Sequence, residues 1–308
     1  MADKPSRALI LYGYGLAPLI SPSHSHIHSV ASRGCCGFLA LDDPSPSPVT
    51  EDEKLMREVA QLLDASEAFC SADGEKGSTE DLKKVPSIAE RFMGMSAAIV
   101  TGAPAVKCFG EKLGFTAVES VSVNLRDGQS SEVAAMELLK LLGFEGGKTL
   151  DKDHFDLVFL HLGAHIKENG QHEVECMNSL IGSILQAAQP RSEIGSRLHL
   201  SVVMSYGSVM EDDPNLSLMS LQDGNSSGYS SLLPRQSYTL KGVNLRNGIR
   251  HHNPMLIAQW QDAVTRKDLA EDFSFNEFRK HSGNLAIPAD RFVYEVAFKL
   301  WKAPKYGA

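Results

Sequence analysis

Three short apolar runs punctuate the chain: Ala8-Leu9-Ile10-Leu11-Tyr12, Phe155-Asp156-Leu157-Val158-Phe159-Leu160-His161 and Leu200-Ser201-Val202-Val203-Met204. Each is bounded by glycine or polar residues, so each reads as a buried strand of a parallel sheet. Residues 37–41, 97–101 and 255–258 read the same way. Between these runs the period of the apolar positions becomes helical. Thr50 and Glu53 form a capping-box pattern ahead of Leu55, Val59, Leu62 and Leu63. Helices are predicted over 104–113 and 131–142, with Gly114 and Gly143 as their stops, and over 173–188. Shorter ones are predicted at 28–34, 86–95 and 290–301. Strand and helix alternation with right-handed crossovers implies α/β class, a doubly wound, mostly parallel sheet in a three-layer α/β/α sandwich. Residues 208–248 break the rhythm: they are rich in Ser, Asn, Asp and Gly and read as a loop-rich excursion with a hairpin at 236–243. The whole of 1–308 is taken as one domain.

Composition narrows the partners. A formal net charge of −8 and no basic stripe with interleaved aromatics argue against nucleic acid and against a membrane surface. No run approaches the ~18 apolar residues of a membrane span, and Met1 to Arg7 lead straight into a strand without a signal-peptide core. Five cysteines, at 35, 36, 70, 108 and 176, show no CxxC pair, which fits a reducing compartment, cytosol or nucleus.

Chemistry is expected at the carboxyl ends of the strands, where open α/β sheets bind ligands. Here those ends read Gly13-Tyr14-Gly15, His161 and Ser205-Tyr206-Gly207, with no carboxylate among them. Histidines are the conspicuous donors: His24, His26 and His28 in one cluster, His161, His165 and His172 in another, and His251-His252 beside Pro254. Imidazole suits Zn and other transition metals, so His24, His26, His161, His165 and His251 form a candidate metal set. The bland reading of the same residues is a polar loop and a hydrogen-bonded rim. His-x-His after a first strand also fits metal-dependent amidohydrolases, but the closing Asp they need is missing. Gly224-Asn225-Ser226-Ser227-Gly228 matches a nucleophile elbow in letters only, because no helix start follows it. Cys35 and Cys36 read as small core residues. Trp301, Phe298 and Tyr306 among Lys299, Lys302 and Lys305 make a basic, aromatic C-terminal segment. It is expected to pack within the chain, with partner docking as the alternative.

The order of the pieces resembles the alkaline phosphatase superfamily, and within it the cofactor-independent phosphoglycerate mutases. The resemblance is carried by Leu9-Ile10-Leu11-Tyr12-Gly13 with Ser29 to Gly37, by Asp156 to His172, by Val202 to Gly207 and by Arg250 to Ile257. The ending Lys299-Leu300-Trp301-Lys302-Ala303-Pro304-Lys305-Tyr306-Gly307-Ala308 is similar to that of plant proteins. The resemblance implies two divalent metals held by Asp and His, and a Ser or Thr nucleophile. Tyr12 stands where the first Asp is expected and Tyr206 where the Asp-His is expected; a neutral phenol cannot offset a pair of divalent cations.

The sequence therefore implies a non-catalytic protein of this fold, without cofactor, that binds or scaffolds a protein partner. The alternatives are a metal-dependent phosphohydrolase or phosphomutase with Zn or Mn in a rebuilt histidine site, and a binder of a phosphorylated small molecule.

Overall fold

The computed structural model describes residues 6–42, 50–70, 86–119, 130–150, 154–163, 166–207, 214–218, 240–241, 244–245, 248–250, 252–281 and 286–304. In chain order the strands are β1 (Arg7–Gly13), β2 (Cys35–Ala40), β3 (Ala97–Thr101), β4 (Thr116–Val118), β5 (Phe144–Glu145), β6 (Lys148–Thr149), β7 (Leu157–Leu162), β8 (Leu198–Met204), β9 (Leu240–Lys241), β10 (Asn244–Leu245), β11 (Met255–Trp260) and β12 (Ala286–Pro288). The helices are α1 (Ser25–Arg33), α2 (Glu51–Leu62), α3 (Ser66–Cys70), α4 (Ile88–Arg91), α5 (Pro104–Lys112), α6 (Ser131–Leu141), α7 (Ile166–Ala187), α8 (Glu193–Arg197), α9 (Phe275–His281) and α10 (Phe292–Lys299).

Eight strands form one sheet in the order β12-β2-β11-β8-β1-β7-β3-β4. β1 lies between β7 and β8 and is parallel to both, and its residues are buried throughout. The alternation of the pleat sends Leu9, Leu11, Leu160 and Val202 into one core, under α1, α6 and α7. It sends Ile10, Tyr12, Phe159 and Val203 into the other, under α2, α5 and α10. A sheet covered on both faces is the three-layer α/β/α arrangement that the alternating pattern predicted. β11 departs from it: it runs antiparallel to both β2 and β8.

Local chemistry sets the helix ends. Thr50 and Glu53 form the expected capping box at the start of α2, and Ser87 and Glu90 form a second one on α4. α4 is a single turn in place of a helix over 86–95, because Met93 (φ 45°) and Gly94 (φ 73°) reverse the chain. The C-terminal helix is α10, preceded by a 3-10 turn at Ala289–Arg291. Pairing in the excursion joins Leu240–Lys241 to Asn244–Leu245, a few residues beyond the hairpin expected at 236–243. The motif 224–228 lies outside the described residues. Cys35 and Cys36 open β2, where burial pushes both thiols up, away from the thiolate. No helix among the described residues is long and apolar enough to cross a membrane.

Candidate functional site

The sheet brings the carboxyl ends of β1, β7, β3 and β8 together, and the residues there close on one another. Tyr12 is fully buried, and its hydroxyl donates to Glu58 Oε2 at 2.6 Å. Glu58 comes from α2, where it shares the core-facing stripe with Leu55, Val59 and Leu62. Burial is the main influence on both groups: it raises the Tyr12 phenol, with the charge of Glu58 adding to the rise. It raises the Glu58 carboxyl too, with Arg250 and the Tyr12 hydrogen bond pulling the other way. The pair is thus a phenol and a carboxyl both driven toward their neutral forms.

Ser205 fastens the neighbouring turns. Its Oγ accepts from the amides of Gly15 at 3.0 Å and Gly207 at 3.3 Å, and it lies within hydrogen-bonding reach of Tyr12 and Glu58. The Ser205 amide donates to the Gly13 carbonyl, and the Ser205 carbonyl accepts from Ala17. The turns then meet backbone against backbone. A Cβ on Gly163 (φ 104°) would lie 2.2 Å from the Tyr14 carbonyl oxygen, and one on Gly207 would lie 2.9 Å from Gly15 Cα. Only glycine permits both approaches. Where a ligand crevice is expected, β1 is capped by protein.

His161 faces the same side as Tyr12, with ring centroids 5.6 Å apart. Its Nδ1 is 2.9 Å from Thr101 Oγ1, which itself accepts from the Ala103 amide at 3.1 Å. The Thr101 hydroxyl thus holds the His161 ring in place through Nδ1.

His24 and His26 belong to the other layer. His24 opens α1, and its Nδ1 accepts from the Ser21 amide at 2.9 Å; burial lowers its basicity. The His26 ring lies against Gly182 of α7, and its backbone amide is bonded to Asn178 Oδ1 at 3.0 Å. α1 and α7 pack on the face opposite the one that His161 enters. The structure thus does not bring His161 together with His24 and His26. His165 and His251 lie outside the described residues.

Two divalent metals, as the family resemblance implies, do not fit the described residues. Among them no group of three or more His, Cys, Asp or Glu is placed to hold a metal ion. The Glu58 carboxyl, buried at the strand ends, is engaged by the Tyr12 phenol. Tyr206 turns away, into the opposite core from Tyr12.

Sequence reasoning missed Glu58. The signal was a charged residue three positions after Leu55 and one before Val59, on a stripe otherwise apolar. It also missed Ser205, whose role rests on amides 190 and two residues away.

No protein-family model matches the chain. No curated protein matches it. Among solved structures, the PH0037 protein of Pyrococcus horikoshii is similar over 99% of this chain and 99% of its own, with 13% identity and a TM-score of 0.58. The cofactor-independent phosphoglycerate mutase of Thermoplasma acidophilum is similar over 94% of this chain and 98% of its own, at 12% identity and TM-score 0.49. An alkaline phosphatase superfamily protein from Vibrio parahaemolyticus covers 97% of this chain, with 67% of its own length, at 10% identity and TM-score 0.46. What these likenesses add is the fold: the chain shares with the Pyrococcus protein the helix-flanked, mostly parallel sheet that the order of the motifs implied.

Proposed function

We propose that this is a non-catalytic protein of alkaline phosphatase-like fold that acts by binding or scaffolding a partner protein. The observation that carries this reading is the closure over β1. Tyr12 holds Glu58 in a buried pair, Ser205 ties the turns after β1 and β8 together, and Gly163 after β7 packs against the Tyr14 backbone. A phosphoryl-transfer site on this sheet needs carboxylates open to metal and a nucleophile open to substrate. Both requirements are opposed by a hydrogen-bonded, desolvated cluster. Among the described residues Cys35, Cys36 and Cys108 form no disulfide, in keeping with the proposed location in cytosol or nucleus.

The test combines elemental analysis with turnover. The untagged protein is equilibrated with Zn, Mn or Mg, desalted and assayed for bound metal and for hydrolysis of p-nitrophenyl phosphate. The expected result is neither stoichiometric metal nor turnover above the metal alone. Stoichiometric metal with turnover that His161→Ala abolishes would replace this reading with a histidine-based phosphohydrolase. Thermal stabilisation by a phosphorylated metabolite without turnover would point instead to a small-ligand binder.

A further inference from the structure

The outer face of α7 carries a pair of metal donors that the closure over β1 does not involve. From His172 the chain reads His172-Glu173-Val174-Glu175-Cys176. On a helix, residues four apart stand one above the other, the spacing at which the pattern H-E-x-x-H presents two imidazoles to one zinc ion. Here a thiol takes the place of the second imidazole. Val174 and Met177 turn into the core, which leaves His172 exposed and Cys176 half-buried at the surface. Cys176 Sγ lies 3.5 Å from His172 Nε2.

That separation is the one a shared metal ion needs. Bonds of roughly 2.3 Å to sulfur and 2.0 Å to nitrogen, at a tetrahedral angle, set the two donors about 3.5 Å apart. A zinc ion can therefore bridge the pair with the α7 backbone where it is. The surroundings favour a cation as well. Burial raises the Cys176 thiol, and the charges of Glu173 and Glu175 raise it further. A dication between Sγ and Nε2 offsets those charges and takes the sulfur as thiolate. Two coordinate bonds form, one S–H bond breaks, and its proton passes to solvent, with no oxidant involved. Thiolate with imidazole selects zinc over Mg or Mn. Among the described residues no third His, Cys, Asp or Glu completes the shell, so water fills its other positions. α7 covers the opposite core from the one that His161 enters, so the pair is separate from the strand-end residues.

We propose that His172 and Cys176 form an exchangeable zinc site on the outer face of α7, with Nε2 and Sγ as its protein ligands and water as the rest of its shell. The site goes beyond the binding or scaffolding role and does not depend on it, since its occupation needs neither turnover nor an open crevice.

The experiment titrates the reduced, metal-free full chain with Co(II) at equilibrium, followed by absorbance, and then displaces the cobalt with Zn. The expected result is one cobalt per chain with a thiolate-to-metal charge-transfer band in the near ultraviolet, bleached by zinc. Binding is expected to tighten as pH rises, because a proton leaves. Losing a ligand costs at least what losing an outer-shell partner does, so Cys176→Ser should remove the band and weaken binding about tenfold or more. His172→Ala, at an exposed position, should weaken binding about as much and leave the Tm of the metal-free protein unchanged. Cys108→Ser, at an exposed position of α5, should change neither. Absence of the band, a band that survives Cys176→Ser, or binding untouched by His172→Ala would overturn the proposal. One metal per two chains in a dimer would overturn it in favour of a bridge between copies, and loss of the metal with His161→Ala would overturn it in favour of the crevice. Desalting strips an ion held by two donors, so the two readings fail separately. Metal that survives desalting and supports turnover rejects the non-catalytic reading, whereas an inert chain that never shows the cobalt band rejects only the zinc site.

Discussion

Glu58 and Tyr12 form a buried pair in which each residue satisfies the other, so either one alone is a liability. Tyr12→Phe keeps the ring and its packing but leaves a buried carboxyl without its donor. It is expected to lower stability by about 1–3 kcal/mol in urea denaturation, whereas exposed tyrosines lose almost nothing on the same change. The pH dependence follows from the direction of the shift. Because burial raises the Glu58 carboxyl above its ordinary 4.5, its contribution is fully present below that value and is lost as pH rises through the folded-state value. Glu58→Gln should flatten that decline. His199 behaves in the opposite sense. It is fully buried on β8, with Nε2 3.2 Å from Gln259 Nε2, and burial together with the Lys299 charge lowers it from 6.5 to about 4. A depressed histidine contributes stability that is present above pH 6.5 and lost as pH falls toward 4, about 3 kcal/mol in all. His199→Gln should remove most of the loss between those limits, read as urea midpoints across the window.

Among the elements, the turns after β1, β7 and β8 matter more than the strands they end. Gly163→Ala places a methyl 2.2 Å from a backbone oxygen on a φ of 104°, and neither backbone can yield without breaking the Tyr14–Leu162 hydrogen bond of 2.9 Å. It should destabilise by more than about 3 kcal/mol, whereas Gly146→Ala, with open space around its Cβ, should cost only the price of positive φ, about 1 kcal/mol. Equal losses for the two would contradict the backbone seal over β1. How much of this was legible in the sequence depends on where the determining contact lies. β1, β7 and β8 were legible because burial on both faces demands continuous apolar runs. The start of α2 was legible because Thr50 and Glu53 are three residues apart. The direction of β11 was not, since Met255 to Ala258 are buried in either direction and their order carries no polarity. The short strands β4 and β12 each have only three residues, too few for a period to show. Glu58 was visible as an inconsistency on its helix, yet its partner lies 46 residues away, beyond any local pattern.

For the molecule as a whole, the sheet separates two regions with opposite characters. The carboxyl end is closed, neutralised by pairing and held by backbone contact. The amino end carries Met93, Leu269 and Trp301, each exposed and at positive φ. Along β1, Arg7 marks one edge and Tyr12 stands near the other, roughly 16 Å apart. Arg7 is itself committed to structure: its guanidinium donates to the carbonyls of Leu142, Gly143 and Leu150 and lies over Phe144. No partner is shared between Tyr12 and Trp301, so their effects on stability should add. Tyr12→Phe with Trp301→Gly is expected to equal the sum of the single changes within about 0.5 kcal/mol in urea denaturation. A coupling energy above about 1 kcal/mol would mean that the two ends communicate through the sheet.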